Sequence, residues 1–336
     1  MIENLKKHLM SEGKTGSWLE LANQFNILPD GSNKQKSDKV RKIFNSLSPT
    51  VYVTDNSLPG KASTTFRIKL DRDWDTYEEW AKTKLPEPKK TNGIHIVLGC
   101  VHVPYHNKEL MVKLVSFIQD NESNIVGFHL IGDYLDLKSL SSHDDKTIDK
   151  SGWTLGKEYE AGNLILDMFD SILPKNIDKT FIYGNHEDRY FRYVSNIKNY
   201  KTGDAIASPT QALKLNERGY TVYENWKEDC VQIGKYQVFH GVYCTTNSCK
   251  THVDKLRQSC MFAHTHRIGE HFEGQLHGIN IGTLADMHSE GFRYLSRIER
   301  QSWNNGFGII NVNGNDSQAE LIVCNNNKFF YAGKQY

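Results

Sequence analysis

Apolar and polar positions follow two rhythms along this chain. From about residue 93, short apolar runs are separated by stretches of helical period. His95-Ile96-Val97-Leu98-Gly99, Ile125-Val126-Gly127-Phe128-His129-Leu130-Ile131 and Thr180-Phe181-Ile182-Tyr183 read as buried strands. Helical patterns over residues 108–118 and 156–169 lie between them. Strands alternating with helices imply a parallel sheet and an α/β fold. Further strands are expected at 220–223, 231–233, 236–239, 278–281, 307–312 and 320–323, and a second sheet packed on the first would account for them.

The first 70 residues have a different pattern. Trp18, Leu21, Ala22 and Phe25 share one helical face, and Val40, Ile43, Phe44 and Leu47 share another. Pro29-Asp30-Gly31-Ser32 breaks the chain between the two helices. Two strands, 50–54 and 64–70, follow as a hairpin. Residues 73–82 suggest a short helix. The Pro- and Lys-containing stretch 85–93 reads as a linker. The expected division is 1–70, a helix and linker over 71–92, and a second domain over 93–336.

Composition narrows the class. Of 336 residues, 38% are hydrophobic and 24% charged, as in soluble globular proteins. The net charge of +1 does not mark the whole molecule for a polyanion, so local charge must carry that argument. Residues 1–70 hold eleven Lys/Arg against six Asp/Glu, with Lys34, Lys36, Lys39, Arg41 and Lys42 clustered at the second helix and Lys61, Arg67 and Lys69 at the hairpin. Helix, helix, hairpin is an order that resembles a winged helix-turn-helix. That resemblance implies nucleic-acid binding, with a protein-docking module or a plainly solvated helix face as alternatives. No run reaches the roughly 18 apolar residues of a membrane span, and the first residues lack a secretory signal, so a cytoplasmic protein is expected. The six cysteines form no Cys-x-x-Cys pair and read as reduced thiols, with no disulfide-linked partner.

Five motifs carry the chemistry: Cys100-Val101-His102, Gly132-Asp133-Tyr134-Leu135-Asp136, Gly184-Asn185-His186-Glu187, His240-Gly241 and His264-Thr265-His266. The first three lie just past the ends of predicted strands, where open α/β sheets place ligands. Singly, each has a bland reading. Asp133 could cap a helix, Asn185 could sit in a turn, and each histidine could be an ordinary one. Jointly they offer nitrogen and oxygen ligands for two neighbouring cations, plus one spare histidine for proton transfer.

In this set and order the motifs resemble those of the calcineurin-like metallophosphoesterases, over about residues 93–312. The spelling Tyr183-Gly184-Asn185-His186-Glu187-Asp188-Arg189 is similar to phosphoesterases often found in bacteriophages, which would put the protein in a host cytoplasm. The resemblance implies a four-layer sandwich of two mixed sheets flanked by helices, and two divalent metal ions, Mn²⁺ foremost with Zn or Fe as options. It implies one metal on Cys100, His102, Asp133 and His266, and another on Asp133, Asn185, His240 and His264. His186 would face the leaving-group oxygen. Asp136 and Glu187 would orient ligands or His186. Arg189, Arg267 and His143 are candidate substrate-phosphate contacts, with plain surface positions as the alternative.

Cys100 departs from that pattern, which has an aspartate there. Three readings stay open. A softer thiolate ligand would favour zinc or ferrous iron, a protonated thiol would weaken the first site, or the form is catalytically impaired. His106 could be a nearby substitute ligand. The expected function is a metal-dependent phosphoesterase acting on a phosphodiester or phosphomonoester, within nucleic acid if the first domain binds it. The alternatives are a protein or small-molecule phosphatase with a docking domain, and a non-catalytic binding factor.

Overall fold

The computed structural model describes residues 2–11, 17–46, 50–55, 64–69, 92–141, 152–196 and 206–336. The helix expected over 73–82, the linker through residue 91, Lys61 and His143 lie outside the described residues, as do the side chains of Phe44, Leu47 and Arg67. The chain divides into two compact units, Met1–Lys84 and Leu85–Tyr336.

In the first unit, helices α1 (Ile2–Ser11), α2 (Trp18–Gln24) and α3 (Asn33–Ser46) precede strands β1 (Thr50–Asp55) and β2 (Thr64–Lys69). Helix α2 starts at a reciprocal cap. The Ser17 amide donates to Glu20 Oε2 at 2.6 Å and the Glu20 amide to Ser17 Oγ at 3.2 Å, which satisfies two otherwise orphan donors. Leu5, Leu21, Ala22, Ile27, Val40 and Ile43 form the buried cluster, with Trp18 and Phe25 packed on it. Leu5 belongs to α1, a helix that the apolar spacing did not announce. Strands β1 and β2 pair antiparallel from Thr50 opposite Lys69 to Asp55 opposite Thr64.

The second unit runs β3 (Gly93–Leu98), α4 (Lys108–Asn121), β4 (Ile125–Ile131), α5 (Leu155–Ile172), β5 (Asp178–Ile182), α6 (Asp188–Val194), α7 (Pro209–Ala212) and β6 (Tyr220–Tyr223). Then come β7 (Val231–Ile233), β8 (Tyr236–Val238), α8 (Ser248–Leu256), β9 (Ser259–Phe262), β10 (Ile268–Glu273), β11 (Leu276–Ile281), α9 (Arg297–Gln301), β12 (Asn305–Asn313) and β13 (Asp316–Cys324). A short pair, β14 (Phe330–Tyr331) and β15 (Lys334–Gln335), closes the chain.

Among the described residues there are two large mixed sheets. The first has the order β13-β12-β3-β4-β5-β6, and the second β10-β11-β9-β8-β7. Strands β3 to β6 are parallel, and β12 joins antiparallel to β3. The prediction that all late strands form the second sheet is therefore corrected: 220–223, 307–312 and 320–323 extend the first. Strand parity explains how that sheet buries both faces. Ile96 and Leu98 pack with Leu114, Phe117, Leu166 and Phe169 of α4 and α5, while Val97 packs with Ile233, Val238, Met261 and Ile279 of the second sheet. The outer face of the second sheet is covered by α8, through Cys249 and Val253 against Cys260 and Phe262. The result is a helix–sheet–sheet–helix stack of four layers. Truncating a fully buried residue such as Leu98 to Ala costs about 2–5 kcal/mol in such a core. Among the described residues no helix is long and apolar enough to cross a membrane.

Candidate metal centre

Parallel strands β3, β4 and β5 end side by side, so the loops after them emerge at one edge. Cys100 follows β3, Asp133 follows β4 and Asn185 follows β5. Backbone hydrogen bonds fix the first two loops together: Cys100 N to Gly132 O at 2.9 Å, His102 N to Asp133 O at 2.9 Å, and Val103 N to Tyr134 O at 2.8 Å. From the second sheet, His240 follows β8, and His264 and His266 follow β9; Ala263 N donates to His240 O at 2.9 Å.

Two glycines make room. A Cβ on Gly184 would lie 2.1 Å from Asp133 Oδ1, and one on Gly132, at φ +88°, would lie 2.4 Å from His240 Nδ1. Five chemistry-bearing residues hold left-handed backbone: Cys100 (φ 51°), His102 (55°), Asp133 (51°), His264 (66°) and His266 (59°). Such conformations cost about 1 kcal/mol or more each for residues with a Cβ, and they concentrate where geometry serves function.

Three groups of ligand atoms result, one of them His102, Asp136 and His186; the other two are the candidate cation sites. Those of Cys100, His102, Asp133 and His266 lie within 4.8 Å of one another, and so do those of Asp133, His240 and His264. Asp133 is common to both. Asn185 joins the second group, its Oδ1 3.1 Å from His240 Nε2. All the sequence-expected ligands therefore converge.

The donor set suits cations, and hydrogen bonding fixes the bare nitrogen of both His102 and His240. His102 Nδ1 lies 3.1 Å from Asp136 Oδ2, so its proton sits there, and its Nε2 turns a lone pair toward His266 Nε2 at 3.0 Å. His240 Nδ1 donates to Ile131 O at 2.9 Å, and its Nε2 faces Asn185 Oδ1, His264 Nδ1 at 3.1 Å and Asp133 Oδ2 at 3.4 Å. The bare Nε2 atoms of His102 and His240 thus face further ring nitrogens, an amide oxygen and a carboxylate. A proton relieves one such contact; a divalent cation in each candidate site relieves them all, with bonds of about 2.0–2.3 Å.

Electrostatics agree. Burial opposes the charge on Asp133, but the imidazoles of His240, His186 and His102 draw its pKa well below the usual carboxylate range. Burial holds His264 down to about 4 and draws His266 well below the usual imidazole range, which keeps both in the neutral ligand form. His240 is the exception. Burial disfavours its charge, yet Asp133 outweighs burial and raises it. Burial, with the Asp133 charge behind it, pushes the Cys100 thiol well above its ordinary range; the His264 N–H, 3.2 Å from Sγ, pulls the other way.

His186 lies outside those two groups and belongs to the third, with His102 and Asp136. Its Nδ1 donates to Asp136 O at 2.7 Å, leaving Nε2 bare, and Arg189 NH2 approaches that Nε2 at 3.2 Å. Burial lowers its pKa to about 4. Arg189 NH1 donates to Asp136 O at 2.7 Å. Glu187 is a clamp: its carboxylate accepts from the amides of Asp133 (2.9 Å), Leu135 (2.9 Å) and Gly184 (2.8 Å), joining the β4 and β5 loops. Arg267 is exposed. His106 is not among the clustered ligands; it lines a separate polar cleft of about 850 Å³ with Asn107, Asn304 and Asn327.

Several residues without a motif complete the surroundings. The Trp303 ring meets His266 edge-on at 4.0 Å between centroids, and Trp303 also lines the polar cleft. Phe292 packs on His102, and Trp226 on His240 and His264. Their only sequence signal is a large aromatic in a polar loop.

No protein-family model and no curated protein matches the chain. Among solved structures it is similar to vacuolar protein sorting 29 from Cryptosporidium parvum (15% identity, 73% of this chain and 98% of that one, TM-score 0.40). It is also similar to the wild-type homologue from Entamoeba histolytica complexed with zinc (11% identity, 72% and 96%, TM-score 0.36). A third is an uncharacterised predicted phosphoesterase from Streptococcus pneumoniae (11% identity, 74% and 99%, TM-score 0.32). These likenesses are distant, and the functional reading rests on the site itself.

Proposed function

We propose that this chain is a metal-dependent phosphoesterase of the calcineurin-like kind, hydrolysing a phosphodiester or phosphomonoester. One observation carries the reading: seven candidate ligands from five loops, three on the first sheet and two on the second, come together, with Asp133 shared between two groups. Two bound cations would supply charge neutralisation for the phosphoryl oxygens and lower the pKa of water. The chain's own side chains do the rest. Asp133 bridges the two groups. Asp136 fixes the tautomer of His102 through its carboxylate and that of His186 through its carbonyl. His186 would face the departing oxygen, opposite the attacking water, and its imidazole in the protonated form would give that oxygen a proton. The Arg189 guanidinium beside it offers donors to a phosphate oxygen. Trp226 and Trp303 narrow solvent access to the histidines.

The finer reading is a substrate within nucleic acid, delivered by a winged-helix-like first unit. Its support is the charge on α3, where Lys34, Lys39, Arg41 and Lys42 are exposed and Lys36 is half-buried. Such a face would neutralise phosphates and make binding fall steeply with salt.

The experiment is hydrolysis of bis-p-nitrophenyl phosphate, p-nitrophenyl phosphate and DNA with added Mn²⁺, alongside H186A. Turnover lost in H186A supports the reading. No turnover of any substrate by folded, metal-loaded protein sinks it. Salt-insensitive DNA binding by the full chain, or none, removes the nucleic-acid part alone.

A further inference from the structure

The two ligand groups are not chemically alike. The first contains the only sulfur, Cys100 Sγ, within 4.8 Å of the ligand atoms of His102, Asp133 and His266. The second is built from Asp133, Asn185, His240 and His264, with no sulfur. Cys100 is fully buried, so its sulfur reaches this centre and not solvent.

The sulfur is also held in place. The Cys100 amide donates to Gly132 O at 2.9 Å, and its carbonyl accepts from Thr283 Oγ1 at 2.7 Å and Leu284 N at 3.1 Å. Its left-handed backbone, φ 51°, directs the side chain toward the group. The His264 amide donates to Sγ at 3.2 Å. That N–H opposes the burial and Asp133 charge that keep the free thiol protonated, so a cation must displace the proton, and the donor comes from a residue whose ring belongs to the other group.

Ligand charge and softness then separate the halves. A cation in the first group meets two anionic ligands, Cys100 and Asp133; one in the second meets Asp133 alone, with a neutral amide oxygen in place of the sulfur. Thiolate selects zinc-like ions over manganese, whereas carboxylate and amide oxygens discriminate less.

We propose that the Cys100 half is a retaining site for a thiophilic divalent ion of the zinc class, bound through sulfur, and that the Asn185 half is an exchangeable site open to harder ions such as Mn²⁺. This rests on reading the cluster as a two-cation centre.

The test uses metal content and spectroscopy on the full chain. Protein loaded with Zn²⁺ and dialysed against excess Mn²⁺ should keep one equivalent of zinc and exchange the other. Loaded with one equivalent of Co²⁺ instead, it should show a near-ultraviolet sulfur-to-cobalt charge-transfer band. C100S should lose that band and bind zinc at least about tenfold more weakly. C100D should lose the band yet hold Mn²⁺ at both positions. Circular dichroism reports whether each variant folds; if C100S does not, the wild-type cobalt spectrum and C100D decide. Cobalt bound without the band, or zinc retention by folded C100S within threefold of wild type, overturns the proposal and leaves the phosphoesterase reading standing. Sulfur ligation with no hydrolysis of any phosphate ester does the reverse.

Discussion

The two halves of the centre share Asp133 and are oriented by different means. In the Cys100 half, the His102 proton is held by the carboxylate of Asp136. In the Asn185 half, the His240 proton is held by a backbone carbonyl, that of Ile131. A carboxylate makes the opposite nitrogen more basic than a carbonyl does. One half is thus backed by side-chain charge that mutation can remove, and the other by the main chain of β4, which it cannot. The asymmetry fits a centre with one firmly held and one exchangeable position.

The largest effect should come from the residue that makes no such distinction. D133N removes the shared anion, and phosphoester hydrolysis should fall by about 10³-fold or more, with both metal equivalents weakened. Loss of only one equivalent would show that Asp133 does not serve both halves. Next comes H186A, which should lower kcat by about 10²–10⁴-fold. Its metal content should stay at wild type, because His186 belongs to neither of the two groups that share Asp133. A matching loss of metal would move His186 into the ligand set.

Asp136 tests the asymmetry directly. D136N should weaken the metal of the Cys100 half by about 10–100-fold and leave the other half nearly unchanged. Equal weakening of both would remove the distinction between carboxylate-backed and carbonyl-backed histidines.

Much of this was legible in the sequence, for a physical reason. Ile125–Ile131, Tyr220–Tyr223 and Val231–Ile233 are short apolar runs bounded by polar residues, and they fold as read. Helix α8 was missed because its buried face includes Ser248 and His252 beside Cys249 and Val253, so its apolar period is faint. Strand β10 was missed because it lies at a sheet edge, where none of its residues is buried and Glu270 and Phe272 are exposed. Periodicity says which face a strand buries and nothing about which sheet it joins. That is why β12, which inserts beside β3 across some 200 residues of chain, was assigned to the wrong layer. The ligand residues were visible as motifs because each follows a strand end. The rings packed on them were not: Trp226, Phe292 and Trp303 act through contact, which leaves no spacing to read. Arg189 was flagged for phosphate, but its hold on Asp136 O and approach to His186 Nε2 needed the fold.

The clamp between the β4 and β5 loops predicts stability, not rate. E187Q replaces an acceptor oxygen with an NH₂ facing backbone N–H groups, at a cost of roughly 3 kcal/mol. Thermal unfolding should shift down accordingly, and an unchanged midpoint would mean that the clamp is not formed.

The smallest effect follows the charge behind the Cys100 half one step further out. Glu158 is fully buried on α5, accepting from Lys138 N at 2.9 Å and from the Ser139 hydroxyl. Burial, with the nearby Asp136 charge adding, raises its pKa from 4.5 to about 7. A carboxyl whose pKa rises on folding stabilises the fold while protonated. That contribution is complete below about pH 4.5 and is lost as the pH climbs through about 7. E158Q keeps an acceptor for the Lys138 amide and never ionises. Between pH 5 and 7.5 the wild type should therefore lose on the order of 1 kcal/mol more stability than E158Q. Denaturant midpoints at the two pH values measure the difference. Parallel curves would mean that Glu158 ionises at no cost and is not coupled to the charge of Asp136.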